Sequence, residues 1–341
     1  MSRPDRLVDR YDLVIFDLDG VVYLGHEPIG GAVEALNGLA AHGPAVAYAT
    51  NNASRRAADV ANLLVSMGIG ASPSEVVTSA QASARLMAER LAPGSAVLVV
   101  GGPALRAEIS EVGLTPVTSA DPQPAAVVQG YAADVGWAQL AEASVAIRRG
   151  AWWVATNADS TLPSPRGPLP GNGSLVAALR HALDRSPDVI VGKPEPRLFT
   201  AAAARVGAAN ALVVGDRLDT DIEGAVRAGM DSLLVLTGVT TPDDLLAAPA
   251  GSRPTWVSPD LRALGDLGAA ARVPDVVDDL AEAGGWRVRR AEAGVELDGA
   301  GSPTAALAAL AAMAWAHGEP EDITAADGPA AQTLRTLGLG G

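Results

Sequence analysis

Cysteine is absent from the 341 residues. That excludes disulfides, thiolate metal sites and a cysteine nucleophile. Lysine is almost absent: of 25 basic residues, Lys193 is the one that is not arginine. Aromatic residues make up 4% of the chain against 48% hydrophobic residues in total, so the core must be largely aliphatic. No uncharged apolar run reaches the length of a membrane span. The N-terminus, Met1-Ser2-Arg3-Pro4-Asp5-Arg6, lacks the apolar centre of a signal peptide. Together these predict a soluble cytoplasmic protein without membrane insertion. Positive charge is short as well. A formal net charge of −14 argues against nucleic acid or an anionic membrane as a general partner. It also sets a puzzle for any anionic substrate, because the local site must then override the global field.

What is present reads as an α/β protein. The length exceeds that of one ordinary core, so two or three domains are expected. Near-continuous apolar runs predict parallel strands, buried on both faces, at Leu13–Phe16, Ala45–Ala49, Ala96–Val100, Ala125–Val128, Trp152–Ala155, Leu212–Val214 and Ser232–Leu236. Helices are expected between them, among others at Gly31–Ala41, Ser74–Leu91, Ala138–Arg149 and Asp221–Ala228. In such a βαβ architecture ligands sit beyond the carboxyl ends of the strands.

Polar clusters follow several of these runs. Phe16 is followed by Asp17-Leu18-Asp19-Gly20, Ala49 by Thr50-Asn51-Asn52, and Val214 by Gly215-Asp216-Arg217-Leu218-Asp219-Thr220-Asp221. Lys193 follows Asp188–Val191, a short strand or its end. Each cluster alone has a plain structural reading, as a turn or a helix N-cap. Their ordered recurrence after strands favours one shared site. The chemistry fits that reading. A carboxylate can attack phosphorus once a metal screens its charge. A second carboxyl two residues on can protonate a leaving alkoxide and then take a proton from water. Asp216 and Asp221 add oxygen ligands, and an all-oxygen set favours Mg²⁺ over zinc. Lys193 is the natural cation for a bound phosphate, with Thr50 and the amides after it as donors. An ammonium on a thin stem fits a narrow, crowded site that a planar guanidinium does not.

The order Asp-x-Asp-Gly, Thr-Asn-Asn, Gly-Lys-Pro and Gly-Asp-x-x-x-Thr-Asp-Ile resembles the haloacid dehalogenase superfamily of phosphatases, over about residues 10–265. The spacing looks like the class with the larger α/β cap, inserted between the second and third motifs. Gly192-Lys193-Pro194-Glu195-Pro196 and Gly215-Asp216-Arg217-Leu218-Asp219-Thr220-Asp221-Ile222 are similar to the branch holding phosphoglycolate, pyridoxal phosphate and glycerol 3-phosphate phosphatases. The last of these, with an added C-terminal module, is the nearest in overall pattern. The resemblance implies a Rossmann-like core over residues 1–79 and 187–265, a cap over 80–186 and an accessory module over 266–341. It implies Asp17 as nucleophile and Asp19 as general acid/base. Mg²⁺ would be held by the Asp17 carboxylate, the Asp19 carbonyl and Asp216, with Asp221 supporting. Thr50, Asn51 and Lys193 would hold the phosphoryl group, with Asn52 near it or near the substrate's first carbons.

A small phosphorylated metabolite is therefore the expected partner, glycerol 3-phosphate first, with 2-phosphoglycolate and pyridoxal phosphate open. A phosphomutase and a non-catalytic metabolite sensor are more distant alternatives. Substrate choice is expected in the cap loop Asn157-Ala158-Asp159-Ser160-Thr161-Leu162-Pro163, where Asn157 and Asp159 could bind hydroxyl groups. Ser164-Pro165-Arg166-Gly167-Pro168 reads as a rigid exposed excursion, and Gly171-Asn172-Gly173-Ser174 as the start of a helix. Trp152-Trp153 reads as cap core or a dimer contact, and a homodimer would form through the cap. In the tail, Trp286–Leu297 predicts a hairpin and Pro303–His317 an Ala-rich helix. The tail has some likeness to part of an acetyltransferase fold. It lacks an Arg/Gln-x-x-Gly-x-Gly acyl-CoA loop, so no acetyl transfer is expected.

Overall fold

The computed structural model describes residues 6–162, 166–291 and 294–339. Pro163, Ser164 and Pro165 of the expected cap loop and excursion lie outside the described residues. The chain forms two compact units, Met1–Val46 with Val206–Gly341, and Ala47–Arg205.

In the first unit the strands Ala271–Arg272, Trp256–Ser258, Asp231–Val235, Ala211–Gly215 and Leu13–Phe16 lie side by side in that order. All neighbours are parallel except the first pair. Leu13–Phe16 and Ala211–Gly215 are buried throughout, which is why the sequence shows unbroken apolar runs there. Phe16 lies opposite Val214, and Gly215 opposite Leu234. This register brings Asp17, Asp216 and Thr237-Gly238 out of the sheet at one edge. The expected helix at Asp221–Ala228 begins instead as a π-helical turn, Leu218–Ile222, followed by the α-helix Glu223–Ala228.

The C-terminal residues of this unit form a four-stranded sheet of Leu280–Ala283, Trp286–Ala291, Gly294–Gly299 and Asp322–Ala325. The expected hairpin is its central pair. The helix Pro303–His317 forms with the expected bounds, and Thr304 to Ala314 are all buried. A helix apolar all round must be covered on every side. Here Leu307, Leu310 and Met313 share one cluster with Trp286 and Leu297 of that sheet and with Leu234, Leu245 and Val257. The tail thus completes the core over the strands Asp231–Val235 and Trp256–Ser258.

In the second unit Ala45–Thr50 pairs in parallel with Val76–Thr78. A five-stranded, all-parallel sheet runs Val189–Ile190, Trp152–Ala155, Ala126–Gln129, Ala96–Val100, Thr115–Val117. The helix expected from Ser74 begins only at Ser79 and runs to Arg90. The reason is local. Val76-Val77-Thr78 is a β-branched run, which suits a strand, and Thr78 is a strong N-cap. Its hydroxyl accepts from Gln81 N at 3.1 Å, while its own N–H donates to Gln81 Oε1 at 3.3 Å. Trp153 is fully buried and donates to Gln129 Oε1 at 3.2 Å. Trp152 is buried beneath the Arg90 guanidinium, 4.3 Å from the ring centre. Both tryptophans belong to the core of this unit. Asn172–Leu183 is a helix that opens where Gly171-Asn172 predicted one.

Candidate active site

The first set of functional side chains stands at the carboxyl ends of the first unit's strands. Asp17 N donates to Val214 O at 2.9 Å, continuing the ladder one residue past Phe16. Asp17 is half-buried, and Asp216 and Asp221 are buried. Each of the three offers a carboxylate oxygen, and these atoms lie within 4.8 Å of one another. At an effective dielectric of about 20, two unit charges at such a separation repel by roughly 3–4 kcal/mol. A bound cation would offset that repulsion. The hard oxygen donors suit a divalent ion such as magnesium, so the residues present fit the metal expected from the sequence. Asp221 belongs to the cluster itself, and its Oδ2 also accepts from Arg217 N at 3.3 Å. Asp19 is exposed and its carboxylate is not in the cluster.

Arg217 borders this acidic group. Burial opposes its charge, but Asp219, hydrogen-bonded at 2.8 Å, together with Asp216 and Asp221, more than offsets that and raises its pKa. Asp216 is held by a segment that the motifs did not point to. Val239 N donates to Asp216 Oδ2 at 2.8 Å, and Thr237 Oγ1 donates to Gly20 O at 2.6 Å. A Cβ on Gly238 would lie 1.9 Å from Asp216 Oδ2. The signal in the sequence was weak but present: Thr237-Gly238 follows a buried strand, as the other clusters do.

The second set lies in the second unit. Thr50 ends its strand, and its Oγ1 accepts from Asn52 N at 3.1 Å. Thr50 and Lys193 are buried. Asn52 is exposed, and its Oδ1 accepts from Ser54 N at 2.8 Å and Ser54 Oγ at 2.7 Å. Asn51 Oδ1 accepts from Lys193 N at 2.7 Å. Its Nδ2 donates to Lys193 O and to Asp159 Oδ1, both at 3.1 Å. Asn157 is buried: its Nδ2 donates to Asn51 O at 2.7 Å, and its Oδ1 accepts from Asp159 N at 3.2 Å. The side-chain amides of Asn51 and Asn157 are thus engaged within the protein. Asp159, half-buried, is the member of the cap-loop pair whose carboxylate remains a candidate for substrate. Asn172, also missed, donates to Asn157 O at 2.8 Å and Gln129 O at 3.3 Å.

Comparison with known proteins fits this arrangement. The haloacid dehalogenase-like hydrolase model matches residues 14–115, and a related HAD-hydrolase-like model matches 190–264. The D-glycerol 3-phosphate phosphatase of Mycobacterium tuberculosis is 52% identical over 258 residues, covering 76% of this chain and 72% of that protein. The chain belongs to the haloacid dehalogenase-like hydrolases.

Other members of the family are also similar. An acid sugar phosphatase of Staphylococcus aureus is 37% identical over 238 residues, 69% of this chain and 90% of its own. Among solved structures, the glycerol phosphate phosphatase of M. tuberculosis in complex with magnesium superposes with a TM-score of 0.90 and 44% identity, over 98% of this chain and 99% of that one. A 4-nitrophenylphosphatase of Thermotoga maritima covers 76% of this hydrolase with a TM-score of 0.71 and 32% identity, and 98% of its own chain is matched. The model of a GCN5-related N-acetyltransferase-like domain matches residues 283–339 of the hydrolase. No helix among the described residues is long and apolar enough to cross a membrane.

Proposed function

We propose that this hydrolase is a magnesium-dependent phosphomonoesterase of the cytoplasm that converts glycerol 3-phosphate to glycerol and phosphate. The observation that carries the reaction class is the Asp17–Asp216–Asp221 cluster at the ends of adjacent parallel strands. The substrate rests on likeness to the D-glycerol 3-phosphate phosphatase. Magnesium, held by Asp17, Asp216 and Asp221 with the Asp19 carbonyl, would screen the charges of carboxylate and phosphate from each other. The Asp17 carboxylate attacks phosphorus and the ester P–O bond breaks. Asp19 gives its proton to the departing glycerol oxygen. Asp19 then takes a proton from water, which attacks the aspartyl-phosphate and releases phosphate, restoring Asp17. Thr50 and Lys193 hold the non-bridging oxygens during both steps. Asp159 accepts a hydrogen bond from a substrate hydroxyl.

The domain division at 1–79 with 187–265, 80–186 and 266–341, and a homodimer through the cap, are parts of the same proposal. The test is phosphate release across a panel of phosphorylated metabolites, ranked by kcat/KM. Glycerol 3-phosphate should lead 2-phosphoglycolate and pyridoxal phosphate. A higher ranking for either would move the substrate, and turnover that depends on a bisphosphate activator would indicate a mutase.

The metal half has a separate test. Gly238→Ala would drive a methyl group into Asp216 and dislodge it. Magnesium affinity is expected to fall by about 10- to 100-fold, as for lost support of a metal ligand. The readout is the magnesium-dependent rise in melting temperature. An unchanged magnesium midpoint would remove the Thr237–Val239 segment from the metal site.

A further inference from the structure

We propose that Asn51 is a positioning residue: one carboxamide clamps both polar atoms of the Lys193 backbone and ties them to Asp159 of the cap loop. Placement of the ammonium and placement of the loop are then set together. This deepens the phosphatase reading and rests on it for its catalytic consequence.

The argument is an accounting of donors. An asparagine side chain has two N–H donors and one carbonyl acceptor. Both donors of Asn51 are used, on Lys193 O and Asp159 Oδ1, and the acceptor takes Lys193 N. A phosphate needs donors, and this side chain has none left. The orientation is also forced. A flipped amide would set its N–H groups against Lys193 N–H and its oxygen against two other oxygens. The site has no slack, since a Cβ on Gly192 would lie 2.5 Å from Asn51 Oδ1. The backbone of Asn51 is pinned as well. Its carbonyl accepts from Asn157 Nδ2 at 2.7 Å and from Ser79 Oγ at 2.6 Å.

The far side of the loop is equally fastened. Gly173 N donates to Asp159 O at 2.8 Å, Gly171 N donates to Ser160 O at 2.9 Å, and Asn172 Nδ2 reaches Asn157 O. A buried run of amides therefore leads from Lys193 through Asn51 and Asn157 to Asn172 and the sheet residue Gln129. The paired tripeptides Ala49-Thr50-Asn51 and Ala155-Thr156-Asn157 end two strands and meet in this run.

Lys193 being the sole lysine gives a direct test. The tag-free protein labelled with isotopic lysine shows one backbone amide signal, that of Lys193. In the wild type this amide should exchange slowly with deuterium. In Asn51→Ala its exchange should quicken at least about tenfold, as a buried hydrogen bond is lost. Asp159→Ala should shift the same signal, because it frees one of the two donors. An unchanged exchange rate in Asn51→Ala overturns the clamp. An unmoved signal in Asp159→Ala overturns the coupling. These readouts need no turnover, so they stand or fall apart from the phosphatase reading.

The catalytic arm uses Asn51→Asp, which keeps the shape if the alanine variant fails to fold. It sets a carboxylate against Asp159, and kcat/KM for glycerol 3-phosphate should fall by about 100-fold, mainly in kcat. Adding Asp159→Asn should restore about tenfold of that, since the pair again holds a donor and an acceptor. Because Asp159 also meets the substrate, the recovery is read in the Lys193 amide as well: exchange that stays as fast in the double variant as in Asn51→Asp counts against the coupling.

Discussion

Asp17→Asn is expected to abolish turnover, with a loss of at least about 10⁴-fold in phosphate release, or roughly 5 kcal/mol of transition-state stabilisation. A carboxamide oxygen carries no full charge to drive attack on phosphorus. Asp17 also contributes to the acidic cluster, whose oxygens lie within 4.8 Å of one another. A loss could therefore come from the nucleophile or from weaker metal binding. Saturating magnesium separates the two, and Asp19→Asn on two kinds of leaving group gives the contrast with a proton-transfer role. Asp19 is exposed and outside the cluster, as a group that must exchange protons with water needs to be. Its loss should cost about 10²–10⁴-fold on an alkyl phosphate, whose alkoxide needs a proton. It should cost much less in the first step on an aryl phosphate, whose leaving group departs as an anion. Asp17→Asn should be equally inactive on both, and should stay so at saturating magnesium. Activity restored by excess magnesium would reduce Asp17 to a metal ligand and remove it as nucleophile.

The sequence and the structure agree most closely where side-chain chemistry carries the signal. Leu13–Phe16, Ala96–Val100 and Trp152–Ala155 form with the expected bounds because strands buried on both faces leave unbroken apolar runs. Asp17, Asp216 and Lys193 stand out because carboxylate and ammonium are chemically distinct from their neighbours. Val76–Thr78 did not stand out, since three β-branched residues inside an Ala-rich stretch are outweighed in a helical window. Gly238 and Val239 act through missing volume and a main-chain N–H, which leave no side-chain trace. Asn51 and Asn157 were visible as polar residues after strands. Which way their amides point depends on partners more than 100 positions away in the chain, |i−j| being 142 to Lys193 and 106 between the two asparagines. That information is tertiary. A polar residue at a strand end can serve the substrate or the scaffold, and the number of its donors already in use decides between them.

Lys193→Arg is the second large effect, and it tests geometry against charge. The substitution keeps the cation, so the local attraction for an anion in a chain of net charge −14 should persist. Placement should not. Lys193 is 4% exposed, and both polar atoms of its backbone are fixed by Asn51. A longer, planar guanidinium on that anchored backbone cannot put its charge where the ammonium stood. Misplacement on the order of 1 Å can cost about 100-fold, and we expect at least that loss, falling on kcat with KM changed much less. Lys193→Gln should differ in kind: it removes the charge, so KM should rise as kcat falls. The two variants thus divide the role of the one lysine into field and position. Near-normal kcat in Lys193→Arg would show that any cation suffices there. The rarity of lysine would then be composition and not chemistry, and the Asn51 clamp would hold a backbone whose side chain did not need it.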